Sequence, residues 1–272
     1  MGRVLTTFKG IIENRMPRVF AFVCPWIDEH VARDPASEIG LLPMLVAQGD
    51  TVCDIGANRG LFTYWLLKAG ARVFAFEPNP RLASILRLRF PEELASGQLR
   101  LFETALGSGS GEAVLRIPQD MSPLATIDGN LANDMHGPVD DVRVTLARLD
   151  ACVDADVSFI KLDVEGYENK VLEGAAGVLR ASRPTLLIEA EERHRPGAVA
   201  AVMRILEPLG YQGFFRLGGR MQPIAAFDPA IHQALHALVP DGSRPRRGAV
   251  YVNNFLFSAR PAVTGHLRRW TA

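Results

Sequence analysis

The sequence predicts an α/β fold, a mostly parallel sheet with crossover helices on both faces. Three observations carry this. Short apolar runs that end in acids alternate with stretches of helical spacing from Thr51 to Glu191. The stretch Thr51–Gly60, TVCDIGANRG, reads as a buried strand (Val52–Ile55) that turns through glycines into a helix. Counted along the chain, five strands with crossover helices are followed by an insertion and two terminal strands.

The bulk numbers set limits. A chain of 272 residues can form one large α/β domain with additions. With 30 basic and 30 acidic residues the formal charge is zero, which argues against nucleic acid as the main partner. Four of the basic residues are lysines: Lys9, Lys68, Lys161 and Lys170. Cys24, Cys53 and Cys152 have no metal-ligand spacing, and an odd number disfavours a disulfide framework, so a reducing cytoplasm is expected. The N-terminus lacks the apolar run of a signal peptide, and no segment is apolar enough over about 18 residues to span a membrane.

Residues 1–48 read as a helical cover segment, with amphipathic pieces at Val4–Asn14 and Glu38–Val46 punctuated by Pro17, Pro25, Pro35 and Pro43. Trp26 and Phe20–Val23 are expected to pack it onto the main domain; a homodimer contact and a substrate lid are the alternatives. In the central loop Gly56 and Gly60 permit a tight turn, and the following helix N-terminus points free N–H groups at a ligand. A dinucleotide loop needs G-x-G-x-x-G against a pyrophosphate. Here the spacing is G-x-x-x-G, preceded by Asp54, which suits a cationic, phosphate-free ligand such as S-adenosylmethionine.

Leu61–Ala69 is the next helix, stopped by Gly70. Arg72–Phe76 is the second strand. It ends in Glu77, followed by Pro78, roughly 20 residues past Gly56, where an acid accepts hydrogen bonds from ribose hydroxyls. Pro80–Phe90 is a helix and Leu99–Phe102 a strand leading to Glu103, Thr104 and Ala105, beside an adenine pocket. Residues 108–150 form a β-rich insertion, with strands at Ala113–Ile117 and Val142–Leu146 and an irregular loop, Gln119–Pro138, that carries His136.

Val157–Leu162 is a buried strand closed by Asp163 and Glu165, before a helix at Glu168–Ala181. In open α/β sheets ligands bind beyond the strands' carboxyl ends, so these acids face the site of Asp54 and Glu77. Thr185–Ile188 ends in Glu189, and His194 follows as a candidate general base. A helix at Pro196–Leu209, a strand at Tyr211–Leu217, a Gly218-Gly219 turn, a helix at Pro229–Leu238 and a strand at Val250–Ser258 complete the domain, 49–260, before a C-terminal tail, 261–272. His232 and His236 lie at i, i+4 without a third ligand, and Arg244, Arg246 and Arg247 form a small basic cluster.

The motifs VCDIGANRGLFTYW, VFAFEPNPRLASIL, ETALGSGSGEAVL, FIKLDVEGYENKVLEGA and RPTLLIEAE, in this order, resemble those of the FkbM family of methyltransferases over about Thr51–Glu191. The resemblance implies a Rossmann-like, class I methyltransferase fold, with a seven-stranded, mostly parallel sheet and an antiparallel last strand. It implies methyl transfer from S-adenosylmethionine to a hydroxyl of a sugar, glycan or natural product. By position, Asp54, Gly56, Asn58 and Gly60 would contact the methionine portion and Glu77 the ribose, with Pro78 beside it. Glu103 and Ala105 would lie near the adenine, and Asp163, Glu165 and Glu189 on the acceptor side. One departure is Arg89, where the family often has Asn.

A hydroxyl acceptor must lose its proton. Asp163 comes first as base, then His194; Mg²⁺ held by Asp163 and Glu189 is an alternative that would lower the hydroxyl pKa. Metal-independent turnover is the expectation. A nicotinamide-dependent oxidoreductase would need the missing G-x-G-x-x-G loop, and a non-catalytic binding module would show decay at Asp54, the glycines or Glu77. The residues carry no signature of the particular acceptor.

Overall fold

The computed structural model describes residues 16–118, 125–127, 139–239 and 244–270. The expected helix at Val4–Asn14, the loop residue His136 and most of Gln119–Pro138 lie outside them. The main sheet has eight strands in the order β10-β9-β11-β8-β7-β1-β2-β3. They are β1 (Thr51–Ile55), β2 (Arg72–Phe76), β3 (Leu99–Phe102), β7 (Phe159–Leu162), β8 (Thr185–Glu189), β9 (Gln212–Leu217), β10 (Arg220–Pro223) and β11 (Asn254–Ser258). Strands β1, β2, β3, β7 and β8 are mutually parallel, and β11 runs antiparallel to both its neighbours, β8 and β9. The eighth strand, β10, is a hairpin return after Gly218-Gly219, one more than the seven strands expected.

The central strands are buried along their length because helices cover both faces. Two large cores result. One, centred on Ile55, Phe76, Ile160, Leu186 and Phe255, packs beneath α5 (Glu168–Gly174), α6 (Ala176–Ala181) and α7 (Ala198–Leu206). The other, with Val52, Val73, Phe159, Leu187 and Leu256, packs against α2 (Leu61–Lys68) and α8 (Pro261–Arg269). α8 occupies the segment expected as a tail, and its Leu267 is fully buried.

Several elements differ from expectation for local reasons. Pro25 does not break the N-terminal segment but sits inside α1 (Pro17–Ala32). Phe20 and Cys24 of α1 pack on Leu82 and Ile85 of α3 (Pro80–Arg89), and this burial outweighs the lost helix hydrogen bond. Of the residues expected to dock this segment, Phe20 is buried, while Trp26 is 80% exposed. The expected helix Glu168–Ala181 divides at Ala175. Gly174 there approaches the Gly107 carbonyl so closely that a Cβ would meet its oxygen at 1.9 Å. The expected helix over Pro229–Leu238 is two separate turns, Pro229–His232 and Leu235–Ala237. His232 is buried, its Nδ1 accepting from the Asp228 N–H at 2.9 Å, while His236 is exposed, so the pair shares no helix face.

The insertion forms a second sheet, β4-β6-β5, from β4 (Thr104–Leu106), β5 (Gly111–Pro118) and β6 (Val139–Ala147). Its apolar side, with Ala105, Leu115 and Val144, gathers Ala125 and Ile127 over the edge of the main sheet. Thr126 ties this cover down by donating to the Glu165 carbonyl at 2.9 Å.

Candidate active site

The strand order reverses between β1 and β7. There the chain leaves β1 toward β2 on one side and β7 toward β8 on the other, which opens a crevice beyond their carboxyl ends. A cleft occupies it, at the place where ligand sites form in open α/β sheets. Gly56, Asn58, Glu77, Pro78, Ala105, Asp163 and Glu165 line it together with apolar Phe76, Leu82, Leu106, Leu115 and Ile127. Of the residues singled out from the sequence, these seven come together at one cleft.

The loop after β1 is shaped by close approach. Gly56, at φ +77°, lies against β7, and a Cβ there would stand 1.7 Å from the Asp163 carbonyl oxygen. The Gly56 and Ala57 N–H groups both donate to the Phe76 carbonyl at 3.0 Å, which turns the loop over β2. Asn58, at φ +53°, then donates its N–H to Glu77 Oε2 at 2.7 Å, and the Asn79 N–H donates to Oε1 at 2.9 Å. One amide on each oxygen fixes the carboxylate and leaves each oxygen a further acceptor position. Burial pushes Glu77 up to about 7 despite these bonds. Asn58 Oδ1 is buried without a hydrogen-bond partner among the described residues.

Two expected contacts serve the fold. Asp54 is buried under the loop, accepts from Thr63 Oγ1 at 2.5 Å, and is pushed by burial up to about 6. It does not line the cleft; it anchors α2 beneath the loop. Gly60 caps α2 at φ +84°, where a Cβ would collide with Leu86 and Phe90. Glu103 pairs with Arg87, and its neighbours Thr104 and Ala105 face the cleft instead.

Arg89 makes a buried ion pair with Asp28 of α1, and its guanidinium also donates to the Arg59 carbonyl. This departure from the family's usual Asn therefore fastens the N-terminal helix to the loop that follows β1.

On the other side of Asp163 lies a buried polar hub. Lys161, in the apolar run FIKL, is 2% exposed, with Nζ 3.4 Å from Asp163 Oδ2 and 5.2 Å from the Phe62 ring centre. Burial opposes its charge, but Asp163, Glu189, Asp54 and Glu38 together hold its pKa above the usual lysine value. Glu189 accepts from Asn253 Nδ2 at 2.7 Å. Burial, followed by the charge of Asp163, raises both Glu189 and Glu165 well above the carboxylate range. His194 Nδ1 stands 3.3 Å from Glu165 Oε2, and burial lowers its pKa. Behind them Glu191 accepts two bonds from Arg193, at 2.7 and 2.8 Å, and one from the Tyr251 hydroxyl. Sequence reasoning passed over Lys161, Tyr251, Asn253 and Asn254. A lysine inside an otherwise apolar central strand was the available signal.

The cleft is suited to S-adenosylmethionine by its chemistry. Among the described residues its lining holds three carboxylates, Glu77, Asp163 and Glu165, and no lysine or arginine to meet a phosphate. Sheet order, switch-point cleft and acid-tipped strands define a Rossmann-like domain of the class I methyltransferase type. The profile of the methyltransferase FkbM domain matches residues 54–212, and the chain belongs to that family.

A solved methyltransferase FkbM from Methylobacillus flagellatus KT superposes with a TM-score of 0.51 at 18% identity. It covers 78% of this chain and 44% of that one, and it shows the shared fold. Hexuronic acid methyltransferase AglP of Haloferax volcanii is 29% identical over 158 residues, 55% of this chain and 61% of AglP. A probable ribosomal RNA small subunit methyltransferase A of Methanospirillum hungatei is 31% identical over 112 residues, 41% of this chain and 40% of that protein. The matches thus span less than two thirds of each curated relative's length. Among the described residues no helix is long and apolar enough to cross a membrane.

Proposed function

We propose that this chain binds S-adenosylmethionine in the switch-point cleft and transfers its methyl group to a hydroxyl oxygen of a sugar, glycan or related small molecule. The observation that carries the reading is the Glu77 carboxylate, held by the Asn58 and Asn79 amides with acceptor positions to spare at the rim of a cation-free cleft. Two ribose hydroxyls have the donors those positions require. The apolar walls from Leu82, Leu106, Leu115 and Ile127 suit a flat adenine ring.

When bound, S-adenosylmethionine supplies a methyl group already activated for in-line displacement. The protein's part is orientation and proton transfer. Asp163 stands at the junction of the cofactor cleft and the polar hub and takes the acceptor's proton. His194, held neutral by burial and set against Glu165, is the second candidate. Glu189 orients the acceptor from the end of β8. The Glu165–Gly166 turn, with both residues at positive φ, and the Thr126 contact close the cleft around these groups.

Calorimetric titration with S-adenosylmethionine and, separately, with NAD⁺ tests the cofactor. The reading requires binding of the first, weakened by Glu77→Ala, and no binding of the second. Tight NAD⁺ binding, or none of S-adenosylmethionine to folded protein, would overturn it.

A further inference from the structure

A second cleft, of about 410 Å³, opens beyond Glu189 at the same edge of the sheet. Its walls come from three distant parts of the chain. Ala36 and Glu38 line one side, Arg216 and Gly218 at the end of β9 another, and the approach to β11, with Val250 and Asn254, the third. The antiparallel course of β11 places Asn254 opposite Glu189 in register, and Asn253 bonds the Glu189 carboxylate, so this wall and the polar hub are continuous.

Asn254 Oδ1, an acceptor on this wall, is buried without a hydrogen-bond partner among the described residues. Lys161, 3% exposed and lining neither cleft, holds Nζ 3.4 Å from Asp163 Oδ2, and its charge is also felt by Glu189 and by Glu38 in the second cleft. Buried polar groups are almost always paired, so the orphan acceptor calls for a donor from a bound molecule. A hydroxyl-rich molecule supplies one.

The charge pattern narrows the class. Arg216 is the cation of the cleft's lining, and its guanidinium is already spent on the Pro35, Ala36 and Ser37 carbonyls and on Glu38. Arg193 is clamped by both oxygens of Glu191, and Lys161 sits among Asp54, Asp163, Glu189 and Glu38. An incoming carboxylate or phosphate would give up its hydration and find these cations engaged, with no free counter-charge to offset the desolvation.

Resting on the methyltransferase reading, we infer that the second cleft is the acceptor site and that it takes a sugar without negative charge, neutral or amino-bearing, rather than a sugar acid or a nucleic acid. Asn254 meets its hydroxyls, next to the Asn253–Glu189 hydrogen bond.

The test uses the intact chain saturated with S-adenosylhomocysteine, whose binding is first measured by calorimetry. Saturation-transfer NMR is then recorded with methyl glycosides in matched sets: neutral hexoside, 2-amino-hexoside and hexuronide of the gluco, galacto and manno series. Signals are expected from neutral or amino members of at least one series and at least tenfold weaker from the matching hexuronide. Val250→Trp, at an exposed position on the cleft wall, is expected to abolish those signals and leave S-adenosylhomocysteine affinity within twofold; Asn254→Leu should do the same if it folds. Preference for a hexuronide, absence of any sugar signal, or signals unchanged in Val250→Trp would each overturn the inference while leaving the cofactor reading intact. Failure of S-adenosylhomocysteine to bind would instead overturn the reading beneath it.

Discussion

The backbone N–H of Asn58 donates to the Glu77 carboxylate at 2.7 Å, joining the loop after the first strand to the end of the second. Glu77, the proposed ribose acceptor, and the loop after β1 are therefore hydrogen-bonded into one unit. Because burial sets Glu77 near 7, the free protein holds a mixture of protonated and ionised forms at neutral pH. Ribose hydroxyls donate to the ionised form. Binding at pH 6.5 should release a proton, measurable as a dependence of calorimetric heat on buffer ionisation enthalpy, and affinity should rise with pH and level off above about 7. Glu77→Gln should abolish the proton release and weaken binding by roughly tenfold or more, the scale of a lost charge-assisted hydrogen bond. Proton uptake instead of release would contradict the assignment.

Stability of the ligand-free protein should run the opposite way with pH. Burial raises Asp54 to about 6 and Glu77 and Glu168 to about 7. Each binds its proton more tightly in the folded chain than in the unfolded one, where carboxylates titrate near 4. The stability they contribute is complete below the unfolded pKa and is lost as pH rises through 6–7. Melting temperature should fall by several degrees between pH 5 and pH 8, and Glu168→Gln should flatten the slope.

The Arg89–Asp28 pair should be costly to break from one side. Both side chains are nearly inaccessible, at 2% and 7%. Arg89→Met strips a buried carboxylate of its counter-charge and should cost about 3–5 kcal/mol in chemical denaturation, and the Asp28→Leu, Arg89→Met double variant should recover most of it. A double variant no better than the single would show that packing, rather than charge, holds α1 in place.

Gly56→Ala should be the most damaging single methyl in the molecule. The new Cβ collides with backbone, the Asp163 carbonyl, which no side-chain rotation relieves, and φ is +77°. Loss of at least 2 kcal/mol of stability is expected, from strain at a special backbone position. S-adenosylhomocysteine binding should fall too, read by calorimetry at a temperature where the variant is folded.

Proton abstraction separates Asp163 from His194. Asp163→Asn should lower kcat by about 10²-fold or more with S-adenosylmethionine affinity changed far less, whereas His194→Gln should lower it by about tenfold at most. The reverse ranking would move the base to the His194–Glu165 pair.

Much of this was legible in the sequence because the pattern is local. The parallel strands β1, β2, β3, β7 and β8 are short, mostly apolar runs of four or five residues, and each ends in an acid or its neighbour, so Glu77, Asp163 and Glu189 stand out by position alone. Asp54 and Gly60 were read as ligand contacts because they sit in the loop motif. Their burial against Thr63, Leu86 and Phe90 depends on packing of α2 and α3 that no short stretch encodes. Asn253 and Asn254 escaped for the same reason. Their meaning comes from β8 and β11 lying side by side, a pairing across more than sixty residues. The helix through Pro25 was missed because its stabilising partner, α3, lies elsewhere in the chain.

The place of β11 has a bearing on how the molecule comes into being. β8 and β9 follow one another in the chain, yet they do not touch as neighbours; β11 is slotted between them. Until residues past 258 have been synthesised, β8 has an open edge and Glu189 has no asparagine beside it. The cores on both faces of β1 draw on β11 as well, through Phe255 on one side and Leu256 on the other. The wall of the second cleft is therefore the last part of the sheet to be completed as the chain is made, and the final strand acts as the keystone that joins it to the strands around the switch point.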